Sequence, residues 1–271
     1  MFEIFTSPDA WMALLTLTFL EIILGIDNII FISIAAGKLE QKDRRKATNI
    51  GLVLAMGMRI LLLFGITWLT NMKKPFWVLD ESWITGGISW QALILFFGGL
   101  FLLYKSTKEI HEKIEDRGHD EREVKKSRSS SLTNAIVQIT VINIVFSFDS
   151  ILTAIGMTNG ISPNPTDALV LMVTAVVVSV VIMMLFANPV GEFVNRHPSV
   201  QVLGLSFLIL IGFMLIAEAA HLSHLIVFDN EVGAIPKGYL YFAIAFSLMV
   251  EFFDLRMKKN KTKNNKETAE Q

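Results

Sequence analysis

The chain has 271 residues, 52% of them hydrophobic and 18% charged, with a mean hydropathy of +0.52. An ordinary soluble domain carries about 25% charged residues, so this composition is that of a polytopic membrane protein, and the absence of cysteine excludes disulfides, thiolate metal sites and cysteine nucleophiles. The net charge of -1 is a poor guide to partners, because the charges are segregated along the chain and their placement carries the information.

About 20 mostly apolar residues cross a bilayer core as a helix, and seven segments meet that requirement. The first runs from Trp11 to Ala36, with Ser7 or Asp9 as its cap. The preceding MFEIFTSPDAW has neither the basic n-region of a signal peptide nor the arginines of a transit peptide, so this helix reads as a mature span. After the short basic loop KLEQKDRRK, helix 2 covers Ala47 to Leu69 with Arg59 near its middle. The connection from Asn71 to Trp90, with Trp77, Trp83, Trp90, Gly86 and Gly87, reads as an interfacial loop. Helix 3 spans Gln91 to Thr107 and runs into a mixed-charge stretch, 108–131, expected to be a surface segment that could dock a protein partner. Helix 4 covers Leu132 to Met157, and helix 5 covers Ala168 to Ala187 after the breaker-rich TNGISPNPTD. NPVGEFVNRHPS, with its two prolines, reads as a connection to helix 6, Val200 to Ala220. Helix 7 covers Gly238 to Leu255, and a basic, disordered tail is expected over 257–271.

Lysine and arginine set orientation. They crowd the loops after helices 1 and 3 and the C-terminal tail, and they are sparse in the alternate loops except for Lys73 and Lys74. The expectation is an all-α membrane domain over 1–256, with its N-terminus outside and its C-terminus in the cytoplasm. Lipid is the expected surroundings, and no nucleic-acid partner is expected.

Two helices carry the same polar device. Glu21 and Asp27 in LEIILGIDNIIF are six residues apart, as are Asn143 and Asp149 in INIVFSFDSILT, and both pairs are offset by 122 residues. Asn28 falls on Ser150 and Gly25 on Ser147 in that frame, while Gly99 to Lys105 resembles Gly212 to Glu218 at an offset of 113. These matches divide the chain into two three-helix units, about 10–107 and 132–221, plus a seventh helix. An odd number of helices per unit inverts the second relative to the first, the architecture of many secondary transporters with sites at the repeat interface.

Glu21, Gly25 and Asn28 share one helical face at i, i+4 and i+7, as do Asn143, Ser147 and Ser150. Asp27 and Asp149 lie about 120° away from the first member of each set, so Gly25 is a candidate point of local unwinding. Helices 1 and 4 are expected to cross with Asp27, Asn28, Asp149 and Ser150 facing one another, flanked by Glu21 and Asn143. An all-oxygen donor set of this kind suits hard divalent cations such as Mn, Ca or Mg. Arg59 is the deeply placed cation that could pair with these carboxylates or compete with a metal, and a fixed structural ion pair is the alternative. Glu218, Glu251 and Asp254 lie near membrane boundaries; Glu218 could line an outer access path, and Glu251 has a similar claim. No ATP-binding or hydrolytic motif is present, so an enzyme is not expected and no tightly bound cofactor is needed.

EIILGIDNIIFI, GGLFLLYKSTKEIHE, INIVFSFDSILTAIGM and VNRHPSVQVLGLSFLILIGF together resemble the TerC family of integral membrane proteins over nearly the whole chain. The resemblance implies a seven-helix inverted-repeat fold in the bacterial cytoplasmic (inner) membrane and, for several members, export of manganese; tellurium resistance gives the family its name. It also implies an acidic site on Glu21, Asp27, Asn28, Asp149 and Ser150, with Asn143 where some relatives carry an acid. Export of Mn(II) as substrate is the leading expectation. A non-transporting scaffold or metal-loading accessory factor is the alternative, and a sensory receptor is a third.

Overall fold

Apolar runs interrupted by few breakers fold here into long helices. The computed structural model describes residues 3–37, 39, 41–65, 72–81, 83–115, 132–158 and 165–269. Within them, the side chains of 3–4, 24, 26–28, 41, 132, 148–149, 152–153, 156–157, 165, 255 and 258–269 lie outside the description. After a short 3-10 turn at Glu3–Thr6 come α1 (Pro8–Gly37), α2 (Gln41–Phe64), β1 (Pro75–Glu81), β2 (Ile84–Ser89), α3 (Trp90–Glu115), α4 (Leu132–Thr158), α5 (Pro165–Arg196), α6 (Pro198–Leu222), β3 (Ile226–Val227), β4 (Asn230–Glu231) and α7 (Lys237–Ala269). Four of the helices, α2, α3, α5 and α6, are long and apolar enough among the described residues to cross a bilayer. The large apolar side chains left bare on the outside form helical stripes, such as Trp11, Leu15 and Phe19 on α1 and Phe242, Phe246, Met249 and Phe253 on α7. A lipid-facing surface requires such stripes.

Three helix pairings make the body. α3 and α6 form the most extensive contact, followed by α1 with α5 and α2 with α4; α1 also meets α4, and α2 meets α5. Gly25 of α1 lies against the Met183 side chain and Gly191 of α5 lies against Ser33, so α1 and α5 run parallel. On the other side, Gly51 of α2 lies against Ile139 and Arg59 reaches Ser147, so α2 and α4 are parallel too. α3 and α6 are antiparallel and meet glycine to glycine. A Cβ on Gly99 would stand 2.6 Å from the Gly212 carbonyl oxygen, and one on Gly212 would stand 3.0 Å from that of Gly99. Small residues allow such backbone approach where no hydrophobic force drives helices together in lipid. α1 stays continuous through Gly25, and the glycine accommodates Met183 with no break in the helix.

The segment expected to be an interfacial loop is instead structured. β1 and β2 form an antiparallel hairpin, and β2 pairs with β3, so the order β1-β2-β3-β4 joins the α2–α3 connection to the α6–α7 connection. Phe76, Trp77, Val78, Ile84, Thr85 and Ile88 are aromatic or β-branched and favour strands. Gly87 donates its N–H to the Ser223 carbonyl at 2.7 Å, and a Cβ on Gly86 would stand only 3.0 Å from that same carbonyl oxygen. The β3–β4 turn puts Phe228 and Asp229 at φ 49 and 62, the backbone of a two-residue hairpin turn. Phe228 is held there by its N–H on the Trp83 carbonyl at 3.0 Å and by ring contact with Trp83. The fold is therefore mostly helical with a small sheet capping one end.

Several helices outrun their sequence-based limits. α2 starts at Gln41, within the expected basic loop, where Arg44 donates to the Leu39 and Gly37 carbonyls at 3.0 Å each and so caps the C-terminus of α1. α3 starts on Ser89, whose hydroxyl accepts the Ala92 N–H at 3.1 Å, and continues to Glu115 because KEIHEKIE contains good helix formers and no breaker. α5 passes through Pro189 to Arg196, leaving only His197 between it and α6. Proline's fixed φ is helical, and Pro189 faces outward. α7 likewise continues as helix to Ala269, where a disordered tail was expected, since nothing after Gly238 breaks it.

Candidate functional site

The candidate site is built where α1, α2 and α4 meet. α1 buries Glu21 to 2% exposure, and α2 brings Arg59, 5% exposed, against it. An Arg59 Nη1 hydrogen donates to Glu21 Oε2 in a buried ion pair. The Nε hydrogen donates to Ser147 Oγ of α4 at 3.3 Å, so one guanidinium joins three helices.

The polar face anticipated on α4 is present and buried. Asn143, Ser147 and Ser150 are 5%, 1% and 2% exposed. Their spacing of four and three residues lets each satisfy its own helix. Asn143 Nδ2 donates to the Ile139 carbonyl at 2.9 Å, Ser147 Oγ to that of Asn143 at 2.6 Å, and Ser150 Oγ to that of Ser147 at 3.2 Å. With its amide nitrogen committed, Asn143 keeps Oδ1 as an acceptor, and both serines keep lone pairs. The face thus turns its own donors onto backbone carbonyls of α4 and keeps oxygen lone pairs, one of which takes the Arg59 Nε hydrogen.

Asp27 and Asn28 lie on α1 and Asp149 on α4, two helices in contact. Their side chains lie outside the described residues, as does most of the charged segment 108–131 beyond Glu115. Among the described residues, no group of three or more histidine or acidic side chains is placed to hold a metal ion.

Three cavities surround the cluster. On the sheet side of Glu21 a space of about 10 Å³ is walled by Leu17, Leu63, Ile151, Met172, Ala175 and Val176, an apolar seal. At the opposite end a vestibule of about 350 Å³ opens between α1, α2 and α5, lined by Ser33, Arg44, Arg45, Thr48, Asn188 and Asn195 among others. Ser33 is five residues beyond Asn28, about 8 Å along the helix axis. The third cavity, about 50 Å³, has Arg59 and Phe146 on one wall and Met214, Glu218, Lys237, Leu240 and Tyr241 on the others. Glu218 is thus near the sheet end of α6 and shares a cavity with Arg59. Lys237 and Tyr241 were missed; the signal was a charge and a phenol at the start of the apolar first half of α7.

Glu251 stands elsewhere. It accepts the Ser199 hydroxyl at 2.5 Å in the first turn of α6, which ties α7 to the N-terminus of α6 far from Arg59. Lys105 pairs with Glu109 one turn on, at 2.9 Å, and Lys113 donates to Gln201, so the cytoplasm-facing charges expected on α3 brace it against itself and α6.

The sequence profile described as the integral membrane protein TerC family matches residues 6–266. YgdQ of Escherichia coli K12, a UPF0053 inner membrane protein, is 48% identical over 261 residues, spanning 96% of this chain and 99% of YgdQ. A UPF0053 protein of Haemophilus influenzae is 42% identical over 259 residues, spanning 96% and 99%. YoaE, a UPF0053 inner membrane protein of E. coli K12, is 43% identical over 259 residues, which cover 95% of this chain but 45% of YoaE. No solved structure matches. The apolar helices and the inner-membrane relative YgdQ, matched over 99% of its length, make this a multi-pass inner-membrane protein, and the match across nearly all its residues shows that the chain belongs to the integral membrane protein TerC family.

Proposed function

We propose that the protein is a secondary transporter that exports a divalent cation, Mn(II), by alternating access, and that it is not an enzyme. The observation that carries this reading is the buried Glu21–Arg59–Ser147 cluster, in which α2 joins the two helices, α1 and α4, that hold Asp27, Asn28, Asp149 and Ser150. Ionisable groups kept inside a membrane domain are costly, and they mark ion pathways. Carboxylate, amide and hydroxyl oxygens from Glu21, Asn143, Ser150 and the two aspartates would receive a hard cation in exchange for its water. A dication about 5 Å from a guanidinium is repelled by about 7 kcal/mol at an effective dielectric of 20. Arg59 is therefore the resting occupant of the negative site and must yield to the substrate.

Helix pairing supports two inverted repeats in a seven-span body. The offset of 113 relates Gly99 to Gly212, and those two glycines touch. Residues related by a two-fold axis touch when they lie on it. The offset of 122 carries Gly25 to Ser147, and the contact Gly25 makes with Met183 is matched by the contact Ser147 makes with Arg59. Where the second unit has a thioether, the first has a guanidinium, so an approximately symmetric scaffold carries an asymmetric charge. With the N-terminus outside and the C-terminus inside, the vestibule faces the cytoplasm and the apolar seal faces outward, an arrangement suited to loading from within. The driving force would be the membrane potential, a proton gradient or the metal gradient.

The test is efflux. Cells lacking other manganese exporters should accumulate less metal when the protein is expressed, and purified protein in liposomes should move Mn(II). Asp27→Asn combined with Asp149→Asn should abolish both effects. Transport by that double variant at the wild-type rate would show the site to be wrong, and liposomes that never move Mn(II) would point to a scaffold or metal-loading factor.

A further inference from the structure

Arg59 faces two ways. One side of the side chain is paired with Glu21 and Ser147, and another side forms the wall of the 50 Å³ cavity that Glu218 also lines. The rest of the lining includes the apolar Ile211, Met214, Leu215 and Leu240, so among its lining residues Glu218 is the carboxylate. Lys237 and Tyr241, at the start of α7, stand on the same cavity, so Glu218 shares it with two cations, Lys237 and the buried Arg59. Glu21 and Glu218 belong to different repeat units, on α1 and α6.

We propose that Arg59 is a two-position cation with Glu218 as its second seat: the guanidinium holds Glu21 when the acidic site is empty and crosses the cavity to Glu218 when a substrate cation takes its place. The coupling to substrate rests on the export reading above, whereas the exchange between two acids does not. Glu218 is then a positioning residue, acting through Arg59 and never touching the metal. The move conserves charge within the membrane domain, because each acid in turn keeps a cation and the guanidinium is never left without a carboxylate. It also carries information outward, since an arriving dication displaces Arg59 toward the cavity beside α7.

Two measurements test the proposal on full-length protein. In metal-free mixed micelles, unfolding equilibria are compared for Glu21→Gln, Glu218→Gln and the double variant. Two acids that share one cation back each other up, so each single change should be mild. The double change should weaken folding about 30-fold beyond the product of the single effects. Simple multiplication of the two effects overturns the exchange. In nanodiscs, Mn(II) binding is followed from the electron paramagnetic resonance signal of the free ion. Glu218→Gln should weaken binding about tenfold when Arg59 is present and less than about twofold in an Arg59→Gln background. Equal weakening in both backgrounds, or none in either, overturns the positioning role. Wild-type protein that binds no Mn(II) would refute the export reading alone, and the folding cycle would still decide the exchange.

Discussion

Replacing Arg59 by methionine removes the partner of a carboxylate that water cannot reach. The two side chains are 6% and 3% exposed, and Arg59 supplies the hydrogen bond that Glu21 makes among the described residues. Ser147 loses a donor but keeps its own bond to the Asn143 carbonyl, so the penalty falls on Glu21. Removing one member of a buried pair costs about 3–5 kcal/mol. At about 1.4 kcal/mol per factor of ten, the unfolding equilibrium should shift by about two to three and a half orders of magnitude. Replacing both members, Glu21→Gln with Arg59→Met, leaves no uncompensated charge and should return stability to within about 1 kcal/mol of the wild type. Reversible unfolding in detergent with increasing dodecyl sulfate measures all three proteins. If the double variant is as unstable as Arg59→Met alone, the loss comes from packing and the charge argument is refuted.

Other substitutions separate the parts of the fold. Gly99→Ala drives a methyl group against the Gly212 carbonyl, a backbone atom that cannot step aside, and should cost about 1–3 kcal/mol in the same unfolding assay. Ser147→Ala should cost about 1–3 kcal/mol by leaving the Arg59 Nε hydrogen buried without its acceptor, while Ser147→Thr retains the oxygen and should lose less. Glu251→Gln alters a half-buried tie to Ser199 and should change stability by about 1 kcal/mol or less while leaving manganese accumulation unchanged. A large accumulation phenotype for Glu251→Gln would return that residue to the transport path.

Much of the site could be read directly because helical periodicity is strict. Asn143, Ser147 and Ser150 share a face at any helical phase, and the structure buries that face. The partner of Arg59 could not be read in the same way. Arg59 lies 38 residues from Glu21 and 88 from Ser147, and nothing local selects one acid over another. The sheet was missed for a related reason: tryptophan and glycine between two spans fit both an interfacial loop and a hairpin. Only the pairing of β2 with β3, from opposite halves of the chain, distinguishes them. Pro189 misled in the other direction. It looked like the end of a helix, but on an exposed face of α5 it loses one backbone bond and leaves the ladder on either side in place.

The α3/α6 pair is fastened at three levels. Gly87 and the β2–β3 pairing hold it at one end, Gly99 and Gly212 interlock in the middle, and Lys113 bonds Gln201 at the other end. Two rods pinned at both ends and keyed at the centre can neither slide nor splay without breaking at least one pin. This makes α3 and α6 a fixed post in the fold. If the protein transports by alternating access as proposed, the motion falls to α1 with α5 and α2 with α4 swinging against that fixed post, and a covalent staple between α3 and α6 should leave Mn(II) efflux unchanged.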